Sequence, residues 1–404
     1  MSDFIVSVFI VTVGFVFIYW NSKDLSLYKI KKLRHLWLYH LLFSVVFYIY
    51  TRNNAADANG YWRIAKESSA EAFQLYLSKG PGTKFMFVLN YFPAKILDLS
   101  IFAGTLIYSI IGFIGIYFFY RIIVDLIPHN YSVKGYGLFP LLLFLPSMHF
   151  WAGGVGKDTL LFFSIGMFGF ALQKVGKRIP LLVLSVALSY MVRPHILIVM
   201  LMAFGGAYLI SRKLQLYKRL FFFGLLISIS IIILPRVLEY VSVDDGSFSD
   251  IVSRSVTQAG HLSGQDIGSS VDISSYPFPL KVLTFLYRPL FFDIHGITSL
   301  FASFENLILL ILSFKILRFK PITTFKKAPI VIKGYLLFLL LGAMILSLSL
   351  SNFGIILRMK NMFLPGFLIY IYWALSFQIS HKNAEVALDT ERELSEPAMV
   401  DSIE

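Results

Sequence analysis

Eleven apolar stretches, separated by charged segments, fill most of this chain, and their length fixes what it can become. A helix that crosses a bilayer needs about 20 predominantly apolar residues, because in hydrocarbon only a helix or a closed barrel satisfies its own backbone polar groups. The stretches are continuous runs without the alternation of barrel strands, which selects helices. Spans are expected at 4–20, 36–50, 99–120, 137–151, 159–173, 179–192, 196–211, 220–235, 297–314, 329–350 and 362–379. A hydrophobic content of 57% against 15% charged residues fits this class. The expected fold is an all-α polytopic membrane protein of eleven transmembrane helices, several of them short, around an outward-facing cavity. It forms a single transmembrane domain over residues 1–380, followed by an acidic, disordered tail at 381–404.

Basic residues set the orientation. The segment 21–35 carries Lys23, Lys29, Lys31, Lys32 and Arg34, and segments 121–136, 174–178, 212–219 and 315–328 continue the same alternation with denser Lys and Arg than the segments between them. The positive-inside rule then puts the N-terminus outside the cytoplasmic membrane and the C-terminus inside. The first apolar stretch is followed, not preceded, by its positive cluster and has no small-residue cleavage site, so it is expected to be a retained span.

A net charge of +13 raises nucleic acid as a partner. The basic residues sit beside span ends, as a topology signal requires, and no soluble domain is available to hold a nucleic-acid fold, so that class is set aside. The absence of cysteine excludes disulfides, thiolate metal sites and a cysteine nucleophile. No His and carboxylate set has metal spacing, and no cofactor or metal is expected.

Two outer segments are long enough to carry function, 51–98 and 236–296. In the first, Tyr61, Ile64, Ala65, Ala72, Leu75 and Tyr76 share a helical face, expected to lie on the membrane surface. The middle of the second is rich in Ser, Gly and Asp, as in a lid or substrate-ordered loop. Spans four to seven are short; a helix of 15 residues rises only about 22 Å, so the turns at Trp151–Asp158 and Met191–His195 are expected inside a polar, protein-lined cavity. Gly156-Lys157 is not a nucleotide-binding P-loop, because Trp151 and Asp158 stand where Gly and Ser or Thr belong. What survives is a glycine-rich turn entering a helix N-terminus beside a lysine, which favours an anion.

Lys157, Arg193, His195, Arg288, His295, Arg358 and Lys360 all lie near span ends and together can hold the phosphate or diphosphate of a lipid carrier. The alternative is that they are snorkelling anchors or ion-paired interface residues. Among the acids, Asp57 can take a proton from an attacking hydroxyl or cap the helix that follows it. Asp293 is the alternative base. Asp158 can pair with Lys157 or Arg193 to hold its turn, and Glu305, within a span, needs a partner or the cavity. His149 is expected as a packed cavity-wall residue.

Asp57, Tyr61 and Arg63 resemble the early acidic loop of C-type membrane glycosyltransferases. Phe150–Asp158, with Trp151 and Lys157, then Tyr190–His195, Tyr287–Asp293 with Glu305-Asn306, and Asn352–Gly354 with Arg358, Lys360 and Pro365 are similar to bacterial polytopic proteins of surface-polysaccharide clusters. Those include glycosyltransferases and O-antigen polymerase-like proteins. The chain departs from them in having no paired acids in the first loop and a short last outer loop. The resemblance implies a polyprenyl-linked sugar donor, contact with membrane lipids and cooperation with other polysaccharide-assembly proteins. It implies glycosyl transfer by an enzyme, with carriage of a lipid-linked oligosaccharide, or a non-catalytic scaffold, as alternatives.

Overall fold

The computed structural model describes residues 2–54, 56–133, 135–211, 215–240, 273, 275–294, 296–348 and 352–395. These residues are helical almost throughout; one two-residue ribbon pairs Ser132–Val133 with Tyr136–Gly137. In chain order the helices are α1 (Ser2–Asn21), α2 (Leu27–Asn53), α3 (Asp57–Glu67), α4 (Ala70–Ser78), α5 (Thr83–Tyr91), α6 (Ile101–Leu126), α7 (Leu138–Leu141), α8 (Pro146–Trp151) and α9 (Lys157–Leu172). There follow α10 (Val175–Val192), α11 (Pro194–Ile210), α12 (Leu216–Tyr240), α13 (Phe278–Tyr287), α14 (Ile297–Leu317), α15 (Pro321–Lys327), α16 (Ile330–Leu346), α17 (Phe353–Lys360) and α18 (Leu364–Ser395).

Among the described residues, five helices are both long and apolar enough to cross a membrane: α1, α6, α10, α12 and α14. A sixth is reached if α17 and α18, bent by 60° at their junction, form one broken span. The other expected spans fall short for local reasons. Helices α9, α11 and α16 have 16 or 17 residues. Helix α2 is 27 residues long but dilutes its apolar face with His40, Tyr48, Tyr50 and Arg52. The stretch 137–151 is not a continuous helix: Pro140 and Pro146 divide it into α7, a 3-10 turn and α8, since a proline inside a helix removes a hydrogen bond and clashes with the preceding turn.

The core runs along α6, α9, α11, α16 and α18. Helix α6 packs on α9 and reaches both ends of the bundle: at its start Gly104 lies under the Trp62 ring, and at its end Tyr120 donates to the Lys29 carbonyl (3.0 Å) while Arg121 grips Asp24 (2.7 and 2.8 Å). The first end is here called the Asp57 end and the second the Asp24 end. Helices α9, α10, α11 and α12 then alternate between them, so residues 157 and 193 return to the Asp57 end.

Three expectations change. The helical face of 51–98 is folded into protein: α3 buries Tyr61 and Ala65 against α5 and α6, and the chain breaks at Ser68-Ser69 before α4. Within 236–296, residues 278–287 form α13, while the Ser, Gly and Asp-rich middle lies outside the described residues, as does His295. The expected disordered tail does not begin at 381, because α18 continues through Ser395; 396–404 lie outside the described residues.

Candidate functional site

The glycine-rich turn after α8 is buried where it crosses α2 and α6. A side chain at Gly154 would meet the Phe47 ring at 2.1 Å, and one at Gly112 of α6 would meet the Ala152 carbonyl at 2.0 Å, so only glycine lets the turn sit this deep. The turn delivers the chain to α9 with Lys157 and Asp158 in its first turn, where an acid is favoured by the helix dipole. Lys157 Nζ donates to Thr83 Oγ1 (2.9 Å) and stands 5.9 Å from the Tyr61 ring centre.

Arg193 reaches the same place from the break between α10 and α11. Pro194 makes that break cheap, because proline at the first position of a helix gives up a donor that would be unsatisfied anyway. The Arg193 guanidinium pairs with Asp158 (3.0 Å) and rests against the sulfurs of Met359 (3.1 Å) and Met362 (3.8 Å). Arg358 arrives on α17, whose first turn is capped by the Asn352 side chain accepting from Gly354 N at 2.9 Å. Arg358 Nε bonds to Asp158, and its Nη1 bonds to Asp57 Oδ2 at 2.7 Å. The result is a continuous network, Asp57–Arg358–Asp158–Arg193, with Lys157 at its flank. Asp158 is its buried centre, with a side chain 7% exposed, and Asp57 its open end at 53%.

Asp57 is the first residue of α3 and not its cap; that position belongs to Ala56, whose side chain makes no capping bond. The Asp57 carboxylate therefore faces the network. A cavity of about 320 Å³ opens here, lined by Asp57, Trp151, Gly156, Asp158, Asn352 and Arg358 among others. His195, in the first turn of α11, lies close enough to Arg193 and Lys157 to feel both charges. One acid with an accessible carboxylate and several cations thus converge from α3, α9, the α10–α11 break and α17. Such a set can bind an anion and orient a hydroxyl beside it.

A second polar cluster occupies the opposite side of α17. Two residues beyond Arg358, Lys360 turns to Asn306 and to the Leu286 carbonyl (3.4 Å), while Asn306 donates to Pro289 O at 2.8 Å. Arg288 binds Asp293 through Nε (3.0 Å) and through Nη2, and Asp293 also accepts from Leu290 N at 2.9 Å. Glu305 is partnered, accepting from both the backbone N (2.8 Å) and the hydroxyl of Ser147 at the start of α8.

Of the residues nominated from sequence, Asp57, Tyr61, Trp151, Lys157, Asp158, Arg193, His195 and Arg358 are brought together; Asp57, Trp151, Asp158 and Arg358 line the cavity and the other four lie outside its lining. Asp293, Arg288, Lys360 and Glu305 form the second cluster and do not line the cavity. Arg63 points from the exposed face of α3 into a separate surface groove with Lys66. His149 does not line the cavity either: its ring lies 3.2 Å from that of buried His40, nitrogen to nitrogen, and 2.7 Å from the Leu143 carbonyl. Sequence reasoning missed Thr83, Met359 and Met362, and named Asn352 without a role. Asn352 is a capping residue type before a helix; the other three carry no local signal. No protein-family model matches the chain, and no curated protein and no solved structure resembles it significantly.

Proposed function

We propose that the chain transfers a glycosyl group from a polyprenyl-phosphate or diphosphate-linked donor to an acceptor hydroxyl, in surface-polysaccharide biosynthesis. The observation that carries this reading is the meeting of Asp57, Asp158 and Arg358 at one cavity, with Arg193 paired to Asp158 and Lys157 next to it immediately behind the lining. The five side chains sum to one net positive charge, and an anionic donor phosphate completes that balance. Asp57 accepts the acceptor's proton as its oxygen bonds to the anomeric carbon. The bond from that carbon to the phosphate oxygen breaks, and the phosphate departs with the electron pair toward Lys157 and the two guanidinium groups. Asp57 is preferred over Asp293 as base, since Asp293 has both oxygens committed to Arg288 and Leu290 N.

In this reading the Asp57 end faces the outside of the cytoplasmic membrane, and the short helices complete an arrangement of about eleven crossings, with the bilayer thinned or polar groups sheltered where helices fall below about 20 residues. The cysteine-free chain makes the orientation directly testable: Gln215→Cys reacts with an impermeant reagent only from the inner side, and labelling from the outer side alone reverses the map. The activity is tested with purified protein and a lipid-linked sugar donor, measuring donor binding and transfer separately. Binding without transfer to any acceptor would assign the cavity to carriage and not to chemistry.

A further inference from the structure

At the Asp24 end, the turn joining α1 to α2 shapes a concavity of about 520 Å³ lined by Tyr19, Lys23, Leu27, Ile30, Lys31 and Arg34. Three cations share this space, and among the described residues no carboxylate pairs with any of them. Asp24, the one acid in the turn, is directed away: both its oxygens are held by Arg121 of α6. Like charges confined together raise one another's energy unless an anion enters. The surroundings say which kind of anion. Leu27 is 85% exposed, Tyr19, Trp20 and Tyr28 are exposed beside it, and the α1 surface leading to them presents Phe9 and Val16. Aromatic rings and apolar side chains next to a basic pocket at the end of an apolar helix form an amphiphilic surface, with a place for a phosphate and an adjoining track for hydrocarbon.

We propose that Lys23, Lys31 and Arg34 bind the headgroup phosphate of an anionic phospholipid, whose acyl chains lie along α1. The site is at the other end of α2 from the Asp57 cavity: Leu27–Arg34 line one and Phe47–Thr51 the other, which at about 1.5 Å rise per residue puts them roughly 30 Å apart. It does not depend on the transfer reaction.

The test is lipid binding to the purified full chain in neutral detergent, read by native mass spectrometry and by thermal shift, with phosphatidylglycerol, phosphatidylcholine and inorganic phosphate as separate probes. Phosphatidylglycerol is expected to bind saturably and in preference to phosphatidylcholine. Each cation near a headgroup is worth roughly a fivefold change in affinity, so Lys31→Gln/Arg34→Gln weakens binding about thirtyfold and Lys23→Gln about fivefold. Lys326→Gln/Lys327→Gln, an exposed basic pair on α15, leaves it unchanged. Equal losses in both double variants would reduce the site to diffuse surface charge. Equal binding of phosphatidylcholine, or stabilisation by inorganic phosphate matching that by phosphatidylglycerol, would also overturn it.

Discussion

The two polar clusters on either side of α17 are built from the same residue types and do different things. On one side Arg358 links Asp57 and Asp158, which lie 301 and 200 positions away in sequence, and the cluster borders a cavity. On the other, Arg288 closes on Asp293 only five positions away, and the carboxylate also holds the Leu290 amide, so the pair clasps a short turn. A local pair stabilises the segment that contains it. A network assembled from four distant elements fixes their relative placement and leaves its outermost acid, Asp57, accessible. That contrast, and not residue type, separates the proposed reaction site from a structural clasp.

The sharpest way to break the comparison is Asp57→Asn. Loss of a general base slows transfer by roughly 10²–10⁴-fold, whereas an exposed ion pair contributes about 1 kcal/mol or less. Steady-state transfer by the variant should therefore collapse while its unfolding midpoint stays close to that of the parent. Unchanged transfer would remove Asp57 from the chemistry. Asp158→Asn should do the reverse in proportion: it leaves the buried Arg193 guanidinium without its counter-charge and Arg358 with Asp57 alone, a defect that costs about 3–5 kcal/mol, read as a lowered denaturation midpoint. A double-mutant cycle with Arg193→Met then tests whether Asp158 and Arg193 act as one unit.

Asp293→Asn sharpens the other side. It should destabilise the protein by about 1–3 kcal/mol, the cost of weakening charge-assisted hydrogen bonds in a buried clasp, while transfer per folded molecule is retained. Loss of transfer at full stability would return Asp293 to the reaction. The smallest effect belongs to the half-exposed pair Asp24–Arg121. Hydrogen bonds from Arg121 hold the Asp24 carboxyl below its ordinary value of 3.8. Its stabilisation is therefore fully present above that value and disappears as pH falls through the lower folded value. With the Asp24 side chain 61% exposed, the contribution is about 1 kcal/mol or less, visible as a shallower acid limb of the stability curve in Asp24→Asn.

Much of the frame was legible. Continuous apolar runs became helices, Pro194 marked the break that carries Arg193, and the glycines after Trp151 marked a turn too tight for side chains. The prolines at 140 and 146 are equally plain in the sequence, and they divide the apolar stretch 137–151 into three short pieces in place of the expected span. Apolarity reports where a segment is buried; it does not report whether its backbone can continue as one helix.

The candidate site was legible as a set of residues and not as an arrangement. Arg358 and Lys360 look interchangeable in sequence, two cations on one short helix. Successive residues on a helix turn by about 100°, so these two face opposite ways, one to Asp57 and Asp158 and the other to Asn306. Likewise Asp57 and Asp293 are both acids beside a basic residue, and only packing gave one an arginine from α17 and the other an arginine from its own turn. Composition and local pattern determined that this chain is helical, apolar and supplied with charged residues at its helix ends, because those properties act within a few turns of backbone. Which charges meet was decided by the tertiary structure, because pairing across hundreds of positions depends on the bundle bringing the first turns of α3, α9 and α11 to α17.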